Sequence, residues 1–97
     1  MSDLKKKLEE EIQETQWNAL KPHGERGALV SVDQSLSLVD VAMAVATDDK
    51  VSIEAWMDEE LVRRVSPEDM NRFNKVPEKN YHFVIIQPFV LMQELGH

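Results

Sequence analysis

The chain has 97 residues, with 18 acidic and 11 basic side chains, a net charge of −7 and no cysteine. A chain of this length hides enough surface for one hydrophobic core, so the sequence predicts a single domain over residues 1–97. The lack of cysteine excludes a disulfide framework, a thiolate zinc site and a cysteine nucleophile, and the acidic balance, which opposes a phosphate backbone, argues against a nucleic-acid partner.

The sequence has no stretch with the character of a membrane-crossing or secretory segment. The longest apolar runs, residues 41–46 and 83–86, are much shorter than the roughly 20 residues that a membrane span needs. After Met1 the sequence has three consecutive lysines and no apolar core of a signal peptide. We therefore expect a cytoplasmic protein that does not bind a membrane.

The N-terminal segment carries one stripe of mostly apolar or small side chains. The stripe positions recur at intervals of three and four residues, at Leu4, Leu8, Ile12, Thr15, Gln16 and Ala19. This periodicity predicts one amphipathic helix that begins near Asp3 and that Pro22, Gly24 and Gly27 end. Ion pairs contribute little to this helix, because the lysines of residues 5–7 precede the glutamates four positions later, which is the weaker orientation.

The middle of the chain predicts a strand followed by a buried helix. Alternation of side chains over residues 28–32 favours a short strand. Residues 38–46 are apolar on almost all sides and rich in alanine, so we predict a buried helix there, with a strand as the alternative. Ser37 and Asp40 have the spacing of a capping box at the start of this helix.

Acidic residues after this helix indicate the start of another one. Asp48 and Asp49 are suited to cap a helix that carries Trp56. A weakly patterned strand over residues 61–65 follows. It contains two adjacent arginines, Arg63 and Arg64, and such charges are tolerated by an edge strand.

The last third of the chain has the clearest boundaries. Ser66 and Pro67 supply a cap residue and a proline at the first helical position, and Pro77 ends the helix that they begin. Residues 81–92 are rich in aromatic and β-branched side chains on both faces, which predicts the central strand. Because Pro88 cannot donate to a strand ladder, this strand must bend, bulge or divide near that residue.

Strands interspersed with helices predict one small α+β domain. We expect an N-terminal amphipathic helix, a three-stranded sheet and helices packed mainly on one face of that sheet. The three strands are residues 28–32, 61–65 and 81–92.

Several segments are similar, in order and spacing, to a family of short bacterial proteins. They are ETQWNAL at 14–20, RGALV at 26–30, SLSLVDVA at 35–42, the pair Asp48 and Asp49, Trp56, and QPFVLMQE at 87–94. On these residues the chain resembles the bacterial domain-of-unknown-function family 2288, over about residues 9–94. The resemblance implies a single-domain bacterial protein, and no catalytic or ligand-binding residue comes with it.

The sequence has no complete signature of a catalytic site. Its glycines are not clustered before a helix as in a phosphate-binding loop, and no serine stands in a nucleophile-elbow context that could be paired with His23 or His82. We predict no cofactor and no metal site. Asp48, Asp49 and His82 could line a ligand pocket, although the two aspartates equally fit helix caps and His82 fits an ordinary strand position.

The two tryptophans, Trp17 and Trp56, are the largest apolar side chains of the sequence. Each has polar neighbours in the chain, and tryptophan is enriched both in hydrophobic cores and at the centres of interfaces. We favour core anchors, with a surface for a partner as the alternative.

These observations favour a non-enzymatic interaction or structural module over an enzyme. The chain has an apolar stripe and an edge strand, and it lacks a nucleophile motif, a phosphate loop and a metal-ligand cluster. We expect it to bind a protein partner or a second copy of itself as a homodimer. The alternative is a small-ligand-binding or hydrolytic protein, which requires Asp48, Asp49 and His82 to converge on one cavity.

Overall fold

A computed structural model describes residues 3–95. Within that range five helices and five strands follow one another, as α1 (Asp3–Glu11), β1 (Gln13–Gln16), α2 (Trp17–Glu25), β2 (Leu29–Val32), α3 (Leu38–Ala46), α4 (Lys50–Asp58), β3 (Val62–Arg64), α5 (Pro67–Asn74), β4 (Asn80–Ile86) and β5 (Phe89–Glu94). None of these helices is long and apolar enough to cross a membrane. The predicted α+β class is confirmed.

All five strands form one sheet in the order β1-β4-β5-β2-β3. β2 and β5 run parallel, and the other neighbouring pairs are antiparallel. β5 is therefore central, and β1 and β3 are the edges, as predicted for β3. The prediction of three strands is wrong for two reasons: β1 lies within the predicted helix, and the segment over residues 81–92 divides into β4 and β5. The division occurs at the Gln87–Pro88 peptide, which is cis, so the effect expected of Pro88 is confirmed.

Helices cover both faces of the sheet. Along β5, Leu91 lies in a core cluster with Val30 and Val84, whereas Val90 and Met92 lie in another cluster. We call the Leu91 side the first face and the Val90 side the second face. α1 and α3 pack on the first face, and α2 and α5 on the second. The prediction that the helices pack mainly on one face of the sheet is wrong. The central strands are apolar on both sides, so helices must cover each side.

The N-terminal segment is two helices separated by a strand, not the single predicted helix. Leu8 of α1 is buried on the first face, and Trp17 of α2 is buried on the second. Between them, Gln13–Gln16 is extended and pairs with β4 at the sheet edge. The chain needs this extended crossing because the two helices cover opposite faces.

α2 continues through Pro22 and Gly24 and ends at Glu25, just before Gly27, the last of the three residues predicted to end it. Gly27 has a φ of 75°, a left-handed conformation that glycine adopts without a Cβ penalty. The Gly27 N–H donates to the Gly24 carbonyl, and the Ala28 N–H donates to the His23 carbonyl, each at 3.0 Å. This pair of bonds is a Schellman motif, so Gly27 and not Pro22 ends the helix.

The other helix starts agree with the sequence signals. α3 has the predicted bounds and Ser37 is its N-cap residue, but the predicted capping box of Ser37 and Asp40 is wrong, because the Ser37 side chain makes no cap bond. Asp49 caps α4, and Ser66 forms a reciprocal capping box with Asp69 at the start of α5.

Candidate functional site

An apolar groove of about 270 Å³ lies on the first face, between the sheet and the hairpin of α3 and α4. Strands β2, β3 and β5 form its floor, and α4 and the end of α3 form its walls. We call it the β3 groove, and it is lined by Val30, Val45, Asp48, Ile53, Met57, Val62, Arg63, Arg64, Phe89 and Leu91. Apart from one aspartate and two arginines, the lining is apolar.

The turn between α3 and α4 positions α4 beside the groove. Asp48 has a φ of 59°, and the Asp49 N–H donates to the Ala44 carbonyl at 2.8 Å, so α3 ends here. The Asp49 carboxylate then accepts from the Ser52 N–H at 3.2 Å and from the Ser52 hydroxyl at 2.8 Å. These two bonds fix the start of α4.

α4 is packed on one side only. None of its residues is buried. Its apolar side chains are half-buried at Ile53 and Trp56, whereas Val51 is 80% exposed and Met57 is 47% exposed. A helix of a globular protein usually buries one apolar face, so these side chains leave apolar surface that a partner can cover.

β3 pairs with a neighbouring strand on one side only. The Val65 N–H donates to the Leu29 carbonyl at 3.0 Å. In an antiparallel ladder, residue pairs that share backbone hydrogen bonds alternate with pairs that do not. The backbone of Arg63 therefore forms hydrogen bonds with β2, whereas the backbone groups of Val62 and Arg64 do not. No strand within residues 3–95 pairs with the other side of β3. The amide and carbonyl groups of Val62 and Arg64 therefore point out from the sheet edge.

Arg64 is a cation at the rim of the groove. Its guanidinium carbon lies 5.6 Å from the centre of the Phe89 ring, and the residue is exposed. Among residues 3–95, Arg64 forms no ion pair. Its charge is therefore available to an acidic group of a bound molecule.

Arg63, by contrast, is paired within the domain. Its Nη1 and Nη2 atoms donate to the Asp69 carboxylate at 2.6 and 3.2 Å. Asp69 also accepts from the Ser66 N–H at 3.0 Å and forms an ion pair with Arg72 at 3.1 Å. Hydrogen bonding by the Arg63 guanidinium holds the pKa of the Asp69 carboxyl well below its usual range. Arg63 thus connects β3 with α5 and adds no unpaired charge to the groove.

The structure does not bring Asp48, Asp49 and His82 together. Asp48 lies on the rim of the β3 groove, and Asp49 caps α4. His82 lies in β4, opposite Glu14 of β1 and Gln93 of β5, and outside the groove lining. In the part of the chain that the structure describes, no three acidic or histidine side chains are arranged to hold a metal ion. The three residues therefore do not form one pocket.

The two tryptophans have different environments. Trp17 is 0% exposed, and its Nε1–H donates to Asn74 Oδ1 at 2.7 Å. Its ring lies against Phe73, with ring centres 4.9 Å apart. Trp17 is thus a core residue that presents no ring surface to a partner. Trp56 is half-buried and packs against the first-face core.

The sequence alone does not assign three residues of the groove, Met57, Arg64 and Phe89, to a site. They come from three separate elements, and their proximity depends on the sheet order. The available sequence signal was the placement of Arg64 on an edge strand, two positions after the aliphatic Val62.

Comparison with known proteins identifies a family. Residues 3–94 match the family described as "Protein of unknown function (DUF2288)". The chain is also similar to a solved structure, "NMR solution structure of PA1075 from Pseudomonas Aeruginosa", with 34% identity and a TM-score of 0.83 over 100% of this chain and 89% of that chain. No curated protein matches the chain. The match over nearly the whole chain confirms the resemblance, and the chain belongs to the DUF2288 family.

Proposed function

We propose that this protein is a non-enzymatic interaction module that binds a segment of a partner protein in the β3 groove. The observation that carries this proposal is the position of the groove, an apolar surface directly beside an edge strand. Sheet edges and apolar grooves are both used by peptide-recognition domains to bind short segments.

The lining of the groove favours an apolar side chain of the partner. Met57 is half exposed on one wall, and Phe89 is half-buried in the floor. Burying apolar surface contributes roughly 25 cal/mol per Å². Methionine has a flexible side chain that adapts to the shape of a partner. An exposed apolar patch with a charged rim is typical of an interaction site.

A small-ligand-binding or hydrolytic function has less support. It requires Asp48, Asp49 and His82 in one pocket, but His82 lies in β4, outside the groove lining, whereas the two aspartates lie in the turn between α3 and α4. A nucleic-acid partner is disfavoured by the net charge of −7.

A second copy of the chain is the competing occupant of the edge. The expected homodimer is based on the N-terminal stripe and on the β3 edge. Within that stripe Leu8 is buried and Ile12 packs against the first-face core, so the domain itself covers these two apolar side chains. The β3 edge remains as a surface for self-association. The mass of the free protein in solution distinguishes a second copy of the chain at this edge from a different protein partner.

The module is proposed to act in the bacterial cytoplasm. A bacterial source is supported by the similar solved structure, which comes from Pseudomonas aeruginosa. A reducing compartment agrees with the lack of cysteine.

Photo-crosslinking in bacterial cells tests the proposed function. A photoreactive amino acid replaces Met57 in the groove, and in a matched control it replaces Val76, which is 51% exposed and outside the groove. We expect position 57, and not position 76, to crosslink to a specific protein. The purified partner should then bind the Val76→Glu variant and lose binding to Met57→Glu. Equal crosslinking at both positions, or binding unaffected by Met57→Glu, contradicts the proposal.

A further inference from the structure

We infer that the partner segment binds as an additional antiparallel strand along β3. An acidic residue of the segment lies opposite Arg64, and an aliphatic residue two positions later lies opposite Val62 in the β3 groove. This inference rests on the proposed function and adds to it the backbone geometry and the chemistry of the partner. The occupant is thus an extended segment of a second protein.

The backbone of β3 has the groups that such a strand requires. The N–H and C=O groups of Val62 and Arg64 face away from β2, and within residues 3–95 no strand pairs with them. An antiparallel segment exchanges two hydrogen bonds with each of these residues. Antiparallel pairing is slightly more stable per residue than parallel pairing, which favours this orientation.

The alternation of side chains determines which partner residues face the groove. Residues opposite Val62 and Arg64 point to the first face, where the groove lies. The residue between them, opposite Arg63, points to the second face. Two partner side chains, two positions apart, therefore make the recognition contacts.

Charge complementarity places the acidic residue opposite Arg64. The guanidinium of Arg64 lies over the Phe89 ring and has no ion pair with any described residue. The only carboxylate among the residues that line the groove is that of Asp48, and it would repel another acidic group. An aliphatic side chain opposite Val62 meets the apolar part of the lining instead.

The same charges disfavour a second copy of the chain. Two-fold pairing of β3 with its copy sets Arg64 of each chain opposite Val62 of the other, which leaves the unpaired guanidinium without an opposite charge. β3 also has no carboxylate to offer Arg64. The other edge strand, β1, carries Glu14. The proposed segment needs an aliphatic residue two positions after its acidic residue, but Ile12 precedes Glu14 and packs against the first-face core of its own chain.

NMR titration of the isotope-labelled protein with a short synthetic peptide tests the inference. The peptide has Glu-Thr-Val at its centre with flanking threonines. One control peptide is N-methylated at the glutamate, whose amide pairs with β3, and a matched control is N-methylated at the central threonine, whose amide does not. We expect the first to bind about tenfold more weakly and the second to bind unchanged. The amides of Val62 and Arg64 should become protected from hydrogen exchange in the complex.

Reversing the charge of residue 64 gives a second test of the inference. Arg64→Glu should bind the peptide about tenfold more weakly and should prefer a peptide with lysine in place of the glutamate. Lys75→Glu, an exposed substitution outside the groove lining, is the matched control and should leave both affinities unchanged. The dispersion of the amide resonances verifies that each variant is folded.

Three results would overturn the inference. Equal binding of the two N-methylated peptides, with shifts at the groove, means that side chains bind without strand pairing, and the proposed function remains. Failure of the peptide to bind, while the crosslinked partner still requires Met57, also leaves the proposed function intact. Protected Val62 and Arg64 amides in a free protein of twice the monomer mass mean that a second copy occupies the edge. If Met57→Glu left binding of the partner unchanged, the proposed function itself would be contradicted.

Discussion

Arg63 donates two hydrogen bonds to Asp69, at 2.6 and 3.2 Å, and so connects the edge strand β3 with the first turn of α5. Asp69 is buried, and it also forms the capping box with Ser66. One carboxylate therefore orients both the strand and the start of the helix. Because neighbouring side chains of a strand point to opposite faces, fixing Arg63 on the second face directs Arg64 to the first face and the groove.

Asp69→Asn should destabilise the domain by about 2 to 3 kcal/mol. The substitution weakens the charged bonds to Arg63 and the cap of α5. Glu68→Gln, at the adjacent exposed position of the same helix turn, is the matched control and should cost less than about 1 kcal/mol. Urea unfolding followed by tryptophan fluorescence measures both. Equal losses of stability would contradict the role given to Asp69.

The acid stability of the domain should depend on the same carboxyl group. The pKa of Asp69 is lowered from its ordinary value of 3.8 in the folded state, foremost by the hydrogen bonds from Arg63. A lowered pKa stabilises the fold at pH values above the ordinary pKa, and this stabilisation decreases as the pH falls from about 4 toward the folded-state pKa. Asp69→Asn should therefore reduce the pH dependence of the unfolding free energy below about pH 4. An unchanged pH dependence would refute this assignment.

Tyr81, the single tyrosine, should ionise at unusually high pH. Burial raises the pKa of its phenol from 10.0 to about 12, and the nearby Glu94 carboxylate adds to this effect. Because the folded-state pKa is raised, the neutral phenol stabilises the fold below about pH 10, and this stabilisation is lost as the pH rises through about 12. The ultraviolet absorbance of tyrosinate measures the midpoint, with urea-unfolded protein as the control. The same midpoint in folded and unfolded protein would contradict the burial of Tyr81.

Elements with strong local signals could be predicted from the sequence. The bounds of α3 follow from an apolar, alanine-rich segment, and the start of α5 follows from Ser66 and Pro67. The division of the last strand follows from Pro88, which cannot donate a ladder bond. Each of these signals lies within a few residues of the feature that it determines.

Features that depend on distant pairing could not be predicted in this way. The polar segment Gln13–Gln16 has the spacing of a helix stripe, and it is a strand only because it pairs with β4 near the other end of the chain. The β3 groove depends on the sheet order that places β5 beside β2. Arg64 could therefore be identified as an edge charge from the sequence, but its position over Phe89 could not.

Trp17→Ala should be far more destabilising than Trp56→Ala. Trp17 is fully buried and bonds to Asn74, so its removal leaves a cavity and an unpaired amide oxygen, at a cost of about 3 to 5 kcal/mol. Trp56 is half-buried, and its removal should cost about 1 to 2 kcal/mol. Urea unfolding monitored by circular dichroism compares them without relying on the fluorescence of either residue. Similar costs would show that α4 packs more tightly than its exposure indicates.

Asp48 and Asp49 should respond in opposite directions to substitution. Asp49→Ala removes the acceptor of the Ser52 N–H at the start of α4 and should cost about 0.5 to 2 kcal/mol. Asp48 has a φ of 59°, so Asp48→Gly should leave stability unchanged or raise it by up to about 1 kcal/mol, because glycine adopts this conformation without strain. Urea unfolding with and without divalent ions measures both variants. If the two carboxylates held a ligand, they would repel each other in the free protein, and Asp49→Ala would stabilise it while removing a metal-dependent rise in Tm. That result would favour the ligand-binding alternative over the interaction module.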